Sequence, residues 1–338
     1  MIYKNVEFHN VAELIKNDDG SVSWLRVPQN VYDNIESGDQ GKRMAKGSTG
    51  VELRFVIKGE KAVIKMCSGG SGRFHVYRGG IQGGWEDHES HKNVGLGIEE
   101  FEIKKSDNIE KLQIMTEKSG YDWDPEVVRV IFDLGGFKIY DIEGDIEPPK
   151  KEQCPKKTIL FYGSSITHGS NALDASHAWP AIVGHKLNMD VLNLGMAGSC
   201  WMEPDFVEHI ASMGEKDEFD VAVLELGVNV LGWEEEKFTK YVENAIYQIV
   251  SRNSDKPVFV ISPFYLCNET FNPECKAEKW REIIQNTMQK FNFPNAHYIK
   301  GTDLLGDMSG ISGDLVHPNI YGVQQIADKL YNIIKEVI

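Results

Sequence analysis

Cysteine is scarce in this chain. The five in 338 residues (Cys67, Cys154, Cys200, Cys267 and Cys275) are an odd number with no CxxC spacing. A chain this long needs no disulfide staples, so the thiols read as reduced and the compartment as cytoplasmic. Only Cys267 and Cys275 lie near enough in sequence to clip a short loop, and nothing else favours that. Long apolar runs are missing as well. The opening MIYKNVEFHN carries no apolar signal core, and no run approaches the roughly 20 residues of a membrane span, so no membrane partner is expected. Positive charge is short: 36 Lys and Arg stand against 51 Asp and Glu, a formal net charge of −15 at pH 7. Such a surface repels phosphates, which disfavours a nucleic-acid partner and leaves solubility as the plain use of the charge. No internal repeat or low-complexity tract occurs.

What is present is the composition of a folded protein, 41% hydrophobic and 26% charged, over a length that suits two domains. Residues 1–147 read as β-rich. Val51–Ile57 and Ala62–Met66 alternate apolar with polar residues, and Lys58-Gly59-Glu60-Lys61 between them is a hairpin signal. Arg73–Arg78, Gly97–Lys104, Lys111–Thr116, Val127–Leu134 and Phe137–Ile142 continue the series with no long helical period among them. Short strands separated by Gly-rich turns predict a β-sandwich or jelly roll. Residues 148–157 contain three prolines and a lysine cluster that continue neither a strand ladder nor a helix, so they are read as a linker.

From residue 158 to 338 the pattern changes. Strands are expected at Thr158–Tyr162, Asp190–Leu194, Asp220–Leu226, Pro257–Ser262 and Ala296–Ile299. Helices are expected at Trp179–Leu187, Pro204–Met213, Glu234–Arg252, Glu274–Phe291 and from Pro318 to the end. Phe238, Tyr241, Val242, Ala245, Ile246, Ile249 and Val250 mark one helical face. Strands alternating with crossover helices predict a parallel sheet covered on both faces, with reactive groups at the carboxyl ends of its strands.

One stretch stands out there. Ile159–Gly169, ILFYGSSITHG, is an apolar strand running into two serines, a plausible way to expose a hydroxyl at a sheet edge. A serine needs a base, an orienting carboxylate and donors for an oxyanion. Asp314 and His317, three residues apart at a helix entry, can lie on one side of a single turn. The carboxylate can then accept from one ring nitrogen while the other faces the sheet edge.

Gly163-Ser164-Ser165-Ile166-Thr167, the Asn193 to Gly198 segment, Gly227-Val228-Asn229 and Asp314 to His317 stand in the order of four blocks, and in these the chain resembles the SGNH (GDSL-like) hydrolase family over residues 158–338. The β-rich segment in front is similar to that of two-domain members, among them carbohydrate esterases and some acyltransferases. The resemblance implies a three-layer α/β/α, flavodoxin-like domain preceded by a jelly-roll-like β-sandwich. It implies Ser165 as nucleophile, His317 as general base and Asp314 as the residue orienting it. It also implies an oxyanion hole built from the backbone N–H groups of Ser165 and Gly198 and the side-chain amide of Asn229, with no metal or organic cofactor. Two positions depart from the usual pattern, Ser164 where aspartate is common and Val230 where aspartate follows the asparagine. An altered hydrogen-bond network around Ser164 is expected.

Competing readings attach to the neighbours of these blocks. Ser164 is the rival nucleophile. Thr167 is expected to cap the following turn, His168 to be a surface imidazole, Asn193 a turn residue and Cys200 a small packing residue. Trp201 and Trp233 follow the second and third blocks and are read as pocket walls, whereas Trp179 opens an amphipathic helix and is read as core. His88 and His91 lack further ligands at metal spacing, and Asp122 and Asp124 around Trp123 read as a turn, with presentation of the aromatic to the active-site mouth as the alternative. The function implied is hydrolysis of short-chain, acetyl-type esters on a small molecule or oligosaccharide. The alternatives are acyl transfer by the same groups, a lipase-like enzyme, or an inactive carbohydrate-binding protein. A homo-oligomer stays open.

Overall fold

In the computed structural model, residues 1–84 and 91–338 are described, so His88 of the His88/His91 pair lies outside the described residues. Contacts divide the chain into two compact units. One is Met1–Gln29, Lys46–Lys156 and Asn188–Asp190; the other is Asn30–Ala45, Lys157–Leu187 and Val191–Ile338. Asn30–Ala45, which the sequence reading leaves inside the segment 1–147, packs with the second unit.

In the first unit eleven described strands pair antiparallel. Its longest strand corrects the expected hairpin at Lys58–Lys61: Glu52–Ser68 is a single seventeen-residue strand. The polar stretch is its solvent-exposed middle rather than a turn. On one side Ala62–Ser68 and Val56–Ile57 pair with the same partner strand, Phe137–Glu147, and a register shift between Gly144 and Ile146 absorbs the mismatch. Gly144 has φ +139°, and a Cβ there would fall 2.7 Å from the Lys61 carbonyl oxygen, so the bulge requires glycine. Lys111–Thr116 is also corrected. It lies in a helix, Ile109–Ser119, closed by Gly120 in the left-handed region. No residue of that helix is buried, so the apparent alternation of Leu112 and Ile114 reflects no buried strand face. The core of the unit is aromatic and aliphatic, with Phe8, Trp24, Phe55, Phe74 and Phe132 fully enclosed.

One charged cluster is built into this unit. Arg54, only 1% exposed, donates to both oxygens of Asp190 at 2.7 Å and to Glu52 at 2.8 Å. Arg129 donates to the two Glu52 oxygens at 2.6 and 2.8 Å. Trp123, expected in a turn, is buried instead, its ring 4.8 Å from the Arg54 guanidinium and 4.3 Å from that of Arg129. Burial pushes the Glu52 carboxyl up, but Arg129 and Arg54 outweigh it and hold the group at about 2.

The second unit is a parallel five-stranded sheet. Its strands, Thr158–Gly163, Asp190–Gly195, Val221–Glu225, Val258–Ile261 and Ala296–Ile299, lie in the spatial order second, first, third, fourth, fifth. Helices lie at Trp179–Leu187, Pro204–Glu215, Glu235–Arg252, Ala277–Phe291 and Ile320–Lys335; the third buries Phe238, Val242, Ala245, Ile246, Ile249 and Val250 of its expected face, while Tyr241 is half-buried. The expected helix at Glu274 begins at Ala277, after a single turn at Asn268–Phe271. Strand order reverses between the first and third strands, and the carboxyl ends there open a crevice of the kind that holds ligands in doubly wound sheets. Among the described residues no helix is long and apolar enough to cross a membrane, and all five cysteines are free thiols.

Candidate active site

Thr158–Gly163 ends in a glycine because nothing larger fits: a Cβ at Gly163 would lie 2.2 Å from Thr167 Oγ1 and 2.6 Å from Glu225 Oε2. The chain then makes one helical turn, Ser165–His168, with Ser164 as its N-cap accepting from the Ile166 N–H at 3.2 Å. Ser165 opens that turn, so its own N–H has no acceptor within the turn. Its Oγ stands 2.7 Å from His317 Nε2, and His317 Nδ1 stands 2.8 Å from Asp314 Oδ2. Ser164, by contrast, is 1% exposed and its oxygen is engaged at the cap.

Asp314 and His317 sit in a loop closed on itself. The N–H of Ser312 donates to the His317 carbonyl and that of Asn319 to the Gly310 carbonyl, each at 2.8 Å, and Ile311 bridges Pro318. Asn319 caps the last long helix through Tyr321 and Gly322 and donates back to the carbonyls of Ser309 and Ile311. Leu315, between the carboxylate and the imidazole, has φ +67°, a conformation an aliphatic residue adopts only under constraint. Asp314 Oδ1 accepts from Ser312 Oγ and from the N–H groups of Val316 and His317, and Oδ2 from Asn171 Nδ2 at 2.9 Å. Partial burial pushes this carboxyl up, but the His317 and Val316 N–H groups and the His317 ring hold it well below the usual range.

The neighbouring loops are stitched to the serine turn. His168, expected at the surface, is buried with Nδ1 2.9 Å from the Gly195 carbonyl. Asn193, expected in a turn, is buried within its strand; it donates to the Thr167 carbonyl and accepts from the Gly195 N–H. Thr167, expected as a cap, donates instead to Glu225 Oε2 at 3.0 Å. The serine turn lies close against two strands: a Gly195 Cβ on the second would meet the His168 nitrogen at 2.4 Å, and Glu225 on the third takes the Thr167 hydroxyl.

Gly198 has φ +70°, and its N–H makes no hydrogen bond among the described residues. Asn229 Oδ1 accepts from the Cys200 N–H at 3.1 Å, and its Nδ2 has no hydrogen-bond partner in the described chain. Cys200 itself is buried, and burial pushes its thiol well above the ordinary range, so it is a poor nucleophile. Trp201 and Trp233 meet edge to face at 5.6 Å, and Tyr241 lies edge-on to Trp233 at 5.0 Å. Lys237 Nζ lies over the Trp233 ring at 3.9 Å, so one face of that indole is occupied. Trp179 is core, edge-on to Phe161 at 5.1 Å.

Sequence reasoning missed Glu225. Its Oε2 accepts from the Ser164 N–H at 2.6 Å and from Thr167 Oγ1, while Oε1 is buried without a partner. A carboxyl in the otherwise apolar, wholly buried Val221–Glu225 strand was the available signal. Burial pushes it up to about 7, against the two bonds from Ser164 and Thr167. A carboxyl raised in the native state holds its proton after the unfolded chain has lost it. Stability therefore falls as pH rises from about 4.5 to about 7, by roughly 3 kcal/mol. Glu225→Gln is expected to remove that slope. Denaturant midpoints of wild type and variant across this range should diverge by that amount; parallel profiles would show that Glu225 does not titrate there.

Residues 156–335 match the profile of the GDSL-like Lipase/Acylhydrolase family. No protein of curated function matches the chain by sequence. Among solved structures, the salicylyl-acyltransferase SsfX3 from a tetracycline biosynthetic pathway superposes with TM-score 0.73 at 16% identity, over 99% of this chain and 96% of that one. A family two carbohydrate esterase from Clostridium thermocellum, solved in complex with cellohexaose, gives 0.61 at 15% identity over 98% of each chain. An acetyl xylan esterase from the rumen bacterium Butyrivibrio proteoclasticus gives 0.55 at 11% identity over 85% and 90%.

Proposed function

The chain belongs to the GDSL-like lipase/acylhydrolase family and is a carboxylic ester hydrolase, and from that premise we propose that it cleaves short-chain, acetyl-type esters of carbohydrates by a serine mechanism with Ser165 as nucleophile. The observation that carries this reading is His317 lying between two partners, Ser165 at 2.7 Å and Asp314 at 2.8 Å. In the first half-reaction Ser165 Oγ attacks the ester carbonyl and its proton passes to His317 Nε2. Asp314 accepts from Nδ1–H and steadies the imidazolium. The carbonyl oxygen, now an anion, is held by the N–H groups of Ser165 and Gly198 and by Asn229 Nδ2. Collapse expels the alcohol with the proton from His317 and leaves an acyl-serine. Water then repeats the sequence and releases the acid.

Carbohydrate as the alcohol part is supported by the Trp201, Trp233 and Tyr241 wall in the same unit and by the esterases that share the fold. The contact division supports a two-domain reading with its boundary near residue 157. A cytoplasmic location accords with five free thiols.

The test is turnover of p-nitrophenyl esters from acetate to octanoate and of acetylated xylo-oligosaccharides, with and without added alcohols, alongside labelling by a fluorophosphonate. The expected result is fastest turnover of acetate, release of free acetic acid, and label on Ser165 itself, located by fragmentation of the labelled peptide. Label on Ser164 would move the nucleophile. A preference for octanoate would discard the substrate class, and acyl appearing mainly on the added alcohol would make the enzyme a transferase.

A further inference from the structure

The helix Gly38–Ala45 belongs to the second unit although it lies far upstream of that unit's sheet in sequence. It is held in place at its start: the Ser37 N–H donates to Glu203 Oε1 and Tyr241 Oη to Glu36 Oε2, each at 2.8 Å. From its first turn Gln40 reaches the loop that carries Gly198. Its Nε2 donates to the Ala197 carbonyl at 2.8 Å, and its Nε2 and Cγ lie 3.4 and 3.5 Å from where a Gly198 Cβ would stand. Arg43 in turn donates to Gln40 Oε1.

The Ala197 carbonyl and the Gly198 N–H are the two ends of one peptide group. A donor on the carbonyl therefore fixes the plane in which the N–H points. It also draws electron density toward the oxygen, which makes the N–H a stronger donor. Arg43, Gln40 and the peptide form a head-to-tail chain, each group polarising the next, that ends at Gly198. Only one weaker bond in the described chain helps on the same oxygen, Ser199 Oγ at 3.3 Å.

We propose that Gln40 is a positioning residue of the oxyanion hole, setting the orientation and donor strength of the Gly198 N–H without touching the substrate. The inference rests on the reading of Gly198 as an oxyanion donor. It predicts that losing the Gln40 amide weakens one donor rather than deleting it, so the effect stays below the ~10²–10³ in kcat that removal of a whole donor costs.

The experiment compares wild type, Gln40→Met and Gln40→Glu for turnover of p-nitrophenyl acetate, binding of a small alkyl boronic acid, and thermal midpoint. The boronic acid forms a bond from boron to Ser165 Oγ, the hydroxyl proton passes to His317, and the tetrahedral adduct places a hydroxyl where the oxyanion would be. Gln40→Met, of the same length but without a donor, is expected to lower kcat by about tenfold. KM should hold within about twofold, and boronate affinity should fall in parallel with kcat. Gln40→Glu sets a carboxylate against the Ala197 carbonyl and is expected to fall further. Thermal midpoints should stay close to wild type.

Unchanged kcat and boronate affinity would overturn the inference, as would a rise in KM at constant kcat, which would mean that Gln40 meets substrate. A fall in thermal midpoint alone would also overturn it, since the role would then be structural. A wild type inert to every ester and to the boronate would remove the reading of the site itself, and this inference with it, a result distinct from active wild type and unaffected variants.

Discussion

Ser165→Ala and His317→Ala are each expected to lower kcat on a short-chain ester by about 10⁴-fold or more, with the double variant no slower than the worse of the two. The reason is geometric. With Nε2 2.7 Å from Oγ, the hydroxyl and the imidazole act on one proton, so removing either empties the same step. What would survive is binding and the proposed oxyanion donors, so the losses are not expected to multiply. Burst kinetics and steady-state rates with p-nitrophenyl acetate measure this directly. Multiplying losses, or a Ser165→Ala protein that retains more than a hundredth of the wild-type rate, would mean that the two residues do not share the reaction.

Replacing Arg54 by leucine is expected to cost about 3–5 kcal/mol of stability. The side chain is 1% exposed and serves Asp190 and Glu52 together. Its removal leaves Asp190 without its bidentate partner and Glu52 with Arg129 alone. The pH dependence follows from the sign of the shift. A carboxyl held at about 2 contributes stability that is present above about pH 4.5 and is lost as pH falls toward 2. Wild type should therefore be most separated from Arg54→Leu near neutral pH and approach it in acid. Denaturant titration followed by circular dichroism checks this, and a loss under 1 kcal/mol would mean that water relieves the abandoned carboxylates.

The residues proposed to carry this chemistry differ in how plainly the sequence reveals them. The five parallel strands are readable because each is a short apolar run between amphipathic helices. That alternation puts the Ser165, Gly198 and Asn229 segments at strand ends, while the roles expected of those residues and of Asp314 and His317 come from the resemblance in the four blocks. The supporting groups are less legible because their partners are distant in sequence. Asn171 meets Asp314 across 143 positions, and Gln40 meets Ala197 across 157. No local period encodes such a pair. Glu225 was legible in principle, as a carboxyl inside a buried strand, but its partners Ser164 and Thr167 lie on a turn some sixty residues earlier. In the first unit, Lys58–Lys61 misled because a charged, glycine-containing stretch suits both a tight turn and the wet middle of a long strand. Pairing on both sides, unavailable to a local reading, decides for the strand.

The self-closed loop from Gly310 to Asn319 makes Asp314 and His317 a single mechanical part. Its internal bonds, the Ile311–Pro318 bridge and the Asn319 cap keep the carboxylate and the imidazole in register with each other whatever the sheet beneath does. Ser165 rides on a different part, the turn locked to the neighbouring strand by Asn193 and His168. The proposed reacting geometry is thus set by how two prefabricated pieces meet, and Asn171, just past the serine turn, ties one to the other by donating to Ser312 Oγ and Asp314 Oδ2.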